Sequence, residues 1–187
     1  LEQARAVREL NRQMEGIRLL AGIEVDILRD GRLDLADDAL AQLDIVTASV
    51  HSYFRLEPAE MTDRLLRALD NPYVHVLAHP TGRQLLVREA FSFDFDRILA
   101  EAARRNVHLE INAAPERLDL NEQHARRAQE RGVKVIISTD AHHPRHLANI
   151  KYGVKMARRA WLGPADILNT LPLEQLLQAL ARRQSPS

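Results

Sequence analysis

Val133-Lys134-Val135-Ile136-Ile137-Ser138-Thr139-Asp140-Ala141-His142 is the stretch that decides how this chain folds. Its run from Val133 to Ser138 has the pattern of a strand covered on both faces, as in a parallel sheet flanked by helices. Residues two apart in extended chain point the same way, so Asp140 and His142 face one site just past the strand's C-terminal end. A carboxylate and an imidazole together suit Zn, Mn or Fe. Alone, the triplet also fits a surface loop whose Asp caps the following helix.

Outward from that stretch, the same arrangement repeats. Strands are expected at Ile17 to Ile27, with Gly22 as a candidate break, and at Asp44 to Val50, Tyr73 to Ala78 and Val107 to Ile111. Amphipathic helices are expected between and after them, at Glu60 to Leu69, Phe95 to Arg105, Glu122 to Arg131, Leu147 to Ala160 and Pro172 to Arg183. Gly132 and Pro172 carry the usual C-terminal and N-terminal helix signals. This alternation predicts βα units around a parallel sheet. Leu1, Ala4, Val7, Leu10 and Met14 already recur at helical spacing, so the chain is expected to enter in mid-domain. Residues 1–183 are read as one domain portion and 184–187 as a frayed tail.

Four of the five strands deliver a ligand-type residue to the same end. His51 follows the second run, and His79 follows the third, where Pro80 stops the strand and fixes the turn. Glu24 lies inside the first, where a carboxylate is costly to bury unless paired or metal-bound. Each residue alone has a bland reading: a packed histidine, an open strand face. Together, Glu24, His51, His79, Asp140 and His142 converge on one mouth, as in a metal-dependent barrel enzyme. Arg83 lies just after His79, where a guanidinium can hold a phosphate or simply be a solvated turn residue. Asn112 is placed to orient a ligand or to cap a turn. His75 and His108 sit at the opposite strand ends, His124 in a helix, and His143 and His146 on the surface after the Asp-x-His triplet.

Composition narrows the chemistry. The chain has 187 residues, 45% hydrophobic and 28% charged, ordinary for a globular domain with a real core. Lys plus Arg and Asp plus Glu are 26 each, which argues against a dominant non-specific DNA-binding surface but leaves room for a small phosphate pocket. Without cysteine there are no disulfides or thiolate zinc sites, so any metal is held by His and carboxylate. There is no 18-residue apolar run and no signal peptide, so no membrane span is expected, and the expected location is the cytoplasm.

Gly22-Ile23-Glu24, Ser49-Val50-His51-Ser52, Ala78-His79-Pro80-Thr81-Gly82-Arg83, Glu110-Ile111-Asn112 and Ser138-Thr139-Asp140-Ala141-His142 resemble, in order, the later motifs of the PHP (polymerase and histidinol phosphatase) domain. The resemblance is nearest to the C-terminal PHP domain of bacterial and archaeal family X DNA polymerases. Arg117-Leu118-Asp119-Leu120, Tyr152-Gly153-Val154 and Ala157-Arg158-Arg159-Ala160-Trp161-Leu162 add to it. It covers nearly the whole chain. It implies an α/β fold, a distorted (β/α)7 TIM-like barrel of the PHP type, here as an incomplete C-terminal portion. It also implies a centre of three divalent metals, Mn or Zn, with nine ligands in the complete family site. Glu24 resembles the carboxylate bridging two metals, His51 and His79 the other protein ligands of one of these, Asp140 a ligand of the second, and His142 a ligand of the third. The family's opening His-x-His motif and the ligands after it are expected before position 1. Ala114 departs from the Asn of close relatives.

The function so implied is metal-dependent phosphoester hydrolysis: 3′–5′ exonuclease or 3′-end processing in DNA repair. The DNA 3′ end would be reached through the full-length polymerase. Glu24 and Asp140 would be catalytic through the metals, and Arg83 would hold a phosphate oxygen. The alternatives are a free-standing PHP phosphatase of the histidinol-phosphatase type, or a non-catalytic module that orders a polymerase.

Overall fold

The computed structural model describes residues 1–181. Five strands, β1 (Gly22–Asp26), β2 (Ile45–Ser49), β3 (Val76–Leu77), β4 (His108–Asn112) and β5 (Val135–Ser138), form one parallel sheet in the order β1-β2-β3-β4-β5. Helices α1 (Glu2–Asn11), α2 (Asp37–Leu40), α3 (Pro58–Asp70), α4 (Phe95–Arg105), α5 (Glu122–Glu130), α6 (Ile150–Arg159) and α7 (Leu173–Ala179) precede, connect and follow them. The order never reverses, unlike a doubly wound sheet, which turns back at a switch point. Right-handed crossovers then place the connecting helices on one side of the sheet.

The register separates the two faces. Val25 pairs with Ala48, Leu109 with Val135 and Ile111 with Ile137, and all of these are buried in the core. On the other face Glu24 lies opposite Thr47, Asp26 opposite Ser49 and Asn112 opposite Ser138. The two-residue period therefore makes one face apolar and gathers polar side chains on the other.

The helices follow from local chemistry. In α3, Pro58 starts the first turn, and Met61, Leu65, Ala68 and Leu69 form one buried stripe. Burying each large side chain there contributes about 1.5–3 kcal/mol. Asp94 caps α4 by accepting from the Arg97 N–H, and Asn121 caps α5 by accepting from the His124 N–H. Gly132, at φ +72°, ends α5 as expected.

The structure shortens several expected elements. Residues 17–21 are not strand: the Asn11 side chain takes both the N–H and the carbonyl of Leu19, and Ile17 stays exposed. The third strand begins at Val76, not Tyr73. There Asn71 accepts from the Tyr73 N–H through its side chain and from the Val74 N–H through its carbonyl, which makes a turn. The helix expected from Leu147 opens as a 3₁₀ turn, Pro144–Asn149, and becomes α-helical at Ile150. The short helix α2 carries no clear periodic signal. The last helix is seen as far as Ala179, and its expected end at Arg183 and the tail 184–187 lie outside the described residues. Among the described residues no helix is long and apolar enough to cross a membrane.

Gly153 sets how closely α6 lies on the sheet. A Cβ there would meet Ile137 Cγ2 at 2.4 Å and Ala113 Cβ at 3.0 Å. Gly153→Ala is expected to destabilise the fold, because overpacking costs about 1–3 kcal/mol while the gain in helix propensity returns at most about 1 kcal/mol. A thermal melt checks this: Tm falls by a few degrees, and an unchanged or higher Tm contradicts the packing argument.

Candidate metal centre

Three strand ends deliver the central group. Glu24 projects from β1 on the polar face, His51 stands two residues beyond β2, and His79 two residues beyond β3. Glu24 Oε1 lies 2.8 Å from His79 Nε2 and 3.3 Å from His51 Nε2. Among the described residues, Glu24, His51 and His79 form the group whose ligand atoms all fall within 4.8 Å of one another. One carboxylate oxygen facing two imidazole nitrogens is a donor set suited to Zn or Mn.

The surroundings hold these rings in place. His51 Nδ1 pairs with Asp26 Oδ1 at 2.6 Å and lies 3.3 Å from Ser49 Oγ, which leaves Nε2 for Glu24. Such a carboxylate behind a ligating histidine fixes its tautomer and raises its basicity. His79 has a left-handed backbone (φ +26°), and its N–H donates to the buried Glu110 carboxyl at 2.5 Å. Ser138 donates to the other oxygen of Glu110. Two residues on, Asp119 accepts from the Thr81 N–H at 3.0 Å and from its hydroxyl at 2.9 Å. Two buried acids thus brace the His79-Pro80-Thr81 turn.

The charges respond to this packing. Hydrogen bonds from His51, then His79, hold the Glu24 carboxyl well below the usual carboxylate range. Burial raises the carboxyls of Glu110 and Asp119. The His51 imidazole is raised above its ordinary 6.5, first by its hydrogen bond to Glu24 and next by Asp26 against the opposing pull of burial. The contact of protonated His51 with Glu24 therefore stabilises the metal-free fold fully below about pH 6.5, and that contribution is lost as pH rises through the raised value. Metal binding needs the unprotonated ring, so it gains over the same window. The rise in Tm on adding Mn²⁺ is expected to grow as pH rises from below 6.5 through the raised His51 value. A metal-induced shift independent of pH would contradict this.

Asp140 and His142 lie past the end of β5, outside this group. Asp140, at φ +50°, accepts a hydrogen bond from Asn112 Nδ2 at 3.2 Å, and Asn112 Oδ1 also accepts from the Ala114 N–H at 3.0 Å, a turn contact. His142 Nδ1 bonds the Asp140 carbonyl at 2.8 Å, and its side chain is 80% exposed. Asp140, His142, His146, Gln84, Ala114 and Arg117 line part of a cavity of about 380 Å³.

Arg117 was not singled out in the sequence, although its segment was. Its Nε lies 3.6 Å from Asp140 Oδ2, and its Nη1 is buried without a hydrogen-bond partner. Arg83 Nε donates to the Arg117 carbonyl at 2.9 Å, and an Nη donates to that of Leu118. Asp26 was also missed, though its place two residues after Glu24 puts it on the same strand face. His75 is structural, its Nδ1 accepting from the Val46 N–H at 2.9 Å, and His124 packs against Phe95.

A parallel α/β sheet with a carboxylate–imidazole cluster at the C-terminal ends of its strands defines the class: a candidate metal site on a βα scaffold. No protein-family model matches the chain. Over 181 residues, 97% of the chain, it is 42% identical to the DNA polymerase/3′-5′ exonuclease PolX of Bacillus subtilis (strain 168), of which the match covers 32%. It is 30% identical over 175 residues to a protein of Thermoanaerobacter sp. (strain X514) named "probable phosphatase", covering 88% of this chain and 69% of that one. A "probable phosphatase" of Shewanella sp. (strain MR-4) is 28% identical over 186 residues, covering 95% of this chain and 71% of that one. The chain belongs to the PHP (polymerase and histidinol phosphatase) family. It spans about a third of the length of the polymerase relative.

Proposed function

We propose that this chain is the metal-dependent phosphoesterase part of a family X DNA polymerase, trimming DNA 3′ ends during repair in the cytoplasm. The observation that carries this is the meeting of Glu24 with both His51 and His79. The unreversed strand order and the polar face support reading the sheet as an arc of a distorted (β/α)7 barrel, with the site at its C-terminal mouth.

Glu24, His51 and His79 would hold one divalent ion, Mn or Zn, and Asp140 and His142 would contribute to neighbouring positions of a three-metal centre. When bound, the metal supplies Lewis acidity to a water and to the phosphate oxygens. Asp26 keeps His51 in the ligating tautomer. Asn112 orients Asp140. Arg117 lines the cavity with its guanidinium beside Asp140, suited to a non-bridging phosphate oxygen. Arg83 acts through Arg117 as a positioning residue, gripping the carbonyls of its loop. No side chain needs to act as a covalent nucleophile.

The test is nucleotide release from the 3′ end of a labelled single-stranded oligodeoxynucleotide, lost with EDTA and restored by Mn²⁺. The phosphatase-named relatives give a second reading. Release of phosphate from a small monoester without diester cleavage would favour it, and no Mn²⁺-dependent hydrolysis of either substrate would leave the non-catalytic module.

A further inference from the structure

We propose that the outer face of α6 is a track for single-stranded nucleic acid leading into the cavity at Asp140. This rests on the phosphodiester-hydrolysis reading above and adds the surface that would engage the strand.

The chain is neutral overall, but its charge is not evenly spread. Residues 141–165 contain no Asp or Glu, whereas Arg145, Lys151, Lys155, Arg158 and Arg159 fall within them. Arg159 is paired with Glu122 at 2.5 Å. The other four make no ion pair with the described residues. Lys151, Lys155 and Arg158 stand at i, i+4 and i+7 of α6, all exposed, while Gly153, Met156 and Ala157 are buried on the opposite side. They form one stripe about 10 Å long.

Helix stability accounts for Arg158, in the last turn of α6, but not for Lys151 and Lys155. Lys151 sits in the first turn, where the macrodipole disfavours a cation, and no acid accompanies it there. Lys151 and Lys155 are like charges at i,i+4, which costs a few tenths of a kcal/mol. A cationic face kept against these costs suits a polyanion.

Its ends fit the same ligand. Asn149, the residue immediately before α6, lines the cavity together with Asp140, His142 and His146. Just beyond the far end lies Trp161, the chain's single tryptophan, 82% exposed in a left-handed conformation (φ +61°). A positive track beside an aromatic platform is how proteins hold single strands without reading sequence, each stacked base contributing about 1–3 kcal/mol. The strand would enter with its terminal phosphodiester at the cavity and its upstream nucleotides along α6. The neutral total charge thus conceals a local basic face.

The experiment follows fluorescent oligothymidylate binding to the whole chain in EDTA, so that hydrolysis plays no part. With Lys151→Glu, Lys155→Glu and Arg158→Glu combined, affinity is expected to fall at least about tenfold and the salt slope of log Kd to shrink by about 2, near 0.7 per lost phosphate contact. Oligothymidylate should quench Trp161 emission in the unaltered chain. A charge-matched control, Arg104→Glu with Arg131→Glu and Lys134→Glu, should keep affinity close to normal. Equal affinity in the α6 variant, equal loss in the control, or unchanged Trp161 emission would overturn the proposal. So would an α6 variant that binds oligothymidylate normally but no longer associates with polymerase segments, since the face would then dock protein. Mn²⁺-dependent cleavage of bis-p-nitrophenyl phosphate separates the two readings: its absence in the unaltered chain counts against hydrolysis, and its persistence in the α6 variant leaves only the track under test.

Discussion

Glu24→Gln is expected to weaken Mn²⁺ or Zn²⁺ binding at least about 100-fold, roughly 2.7 kcal/mol. Glu24 Oε1 is the atom that both imidazoles face, at 2.8 Å and 3.3 Å. Gln keeps the shape and an amide oxygen but removes the negative charge that a divalent cation requires. Outer partners of metal ligands typically cost 10–100-fold when lost, and a directly ligating carboxylate should cost more. Calorimetric titration reads the affinity, and 3′-end cleavage should fall with it. The carboxyl is ionised far below neutral pH, so the contrast holds across ordinary buffers. Unchanged affinity in Glu24→Gln would remove Glu24 from the site.

Arg64→Met should be the most damaging single change to stability. Arg64 is 2% exposed on α3, and its guanidinium serves three backbone carbonyls. Nε donates to Leu28 at 2.9 Å, one Nη to Ser52 at 2.9 Å, and the other to Ile27. These carbonyls belong to the segments leaving β1 and β2, which carry Asp26 and His51. Methionine keeps much of the stem but takes the donor from the Ser52 and Ile27 carbonyls and leaves Leu28 only the Gly31 N–H. Hydrogen bonds to charged groups contribute about 1.5–3 kcal/mol each, while relieving the buried charge returns part of that. A net loss of about 3–5 kcal/mol follows, or a Tm lower by roughly 10 °C at about 2–4 °C per kcal/mol. Denaturant unfolding checks it, and a loss under about 1 kcal/mol would contradict the clamp. Metal affinity should fall too, because the clamp sets the entry of the His51 loop.

What the sequence made legible follows from range. An apolar run followed by a ligand-type residue is a local signal, so His51, His79, Asp140 and His142 could be placed at strand ends without coordinates. Glu24 stood out as a carboxylate inside an apolar run. The strand starts were misread because side chains elsewhere took the backbone groups, Asn11 at Leu19 and Asn71 at Tyr73. The bonds of Arg83 to the carbonyls of Arg117 and Leu118 were hidden for a similar reason. Position beside a motif says nothing about which guanidinium is consumed by carbonyls of a distant loop. The brace of Glu110 and Asp119 on the His79 turn joins residues 31 and 38 apart in sequence with Glu110–His79 and Asp119–Thr81 contacts, beyond any periodicity argument. The basic face of α6 was hidden by a net charge of zero.

Anomalous X-ray diffraction from crystals of this chain grown with Mn²⁺ or Zn²⁺ tests the metal centre most directly. An anomalous peak is expected within about 2.0–2.2 Å of Glu24 Oε1, His51 Nε2 and His79 Nε2. A folded chain at saturating metal with no peak at those three atoms, or with its metal bound elsewhere, would contradict it.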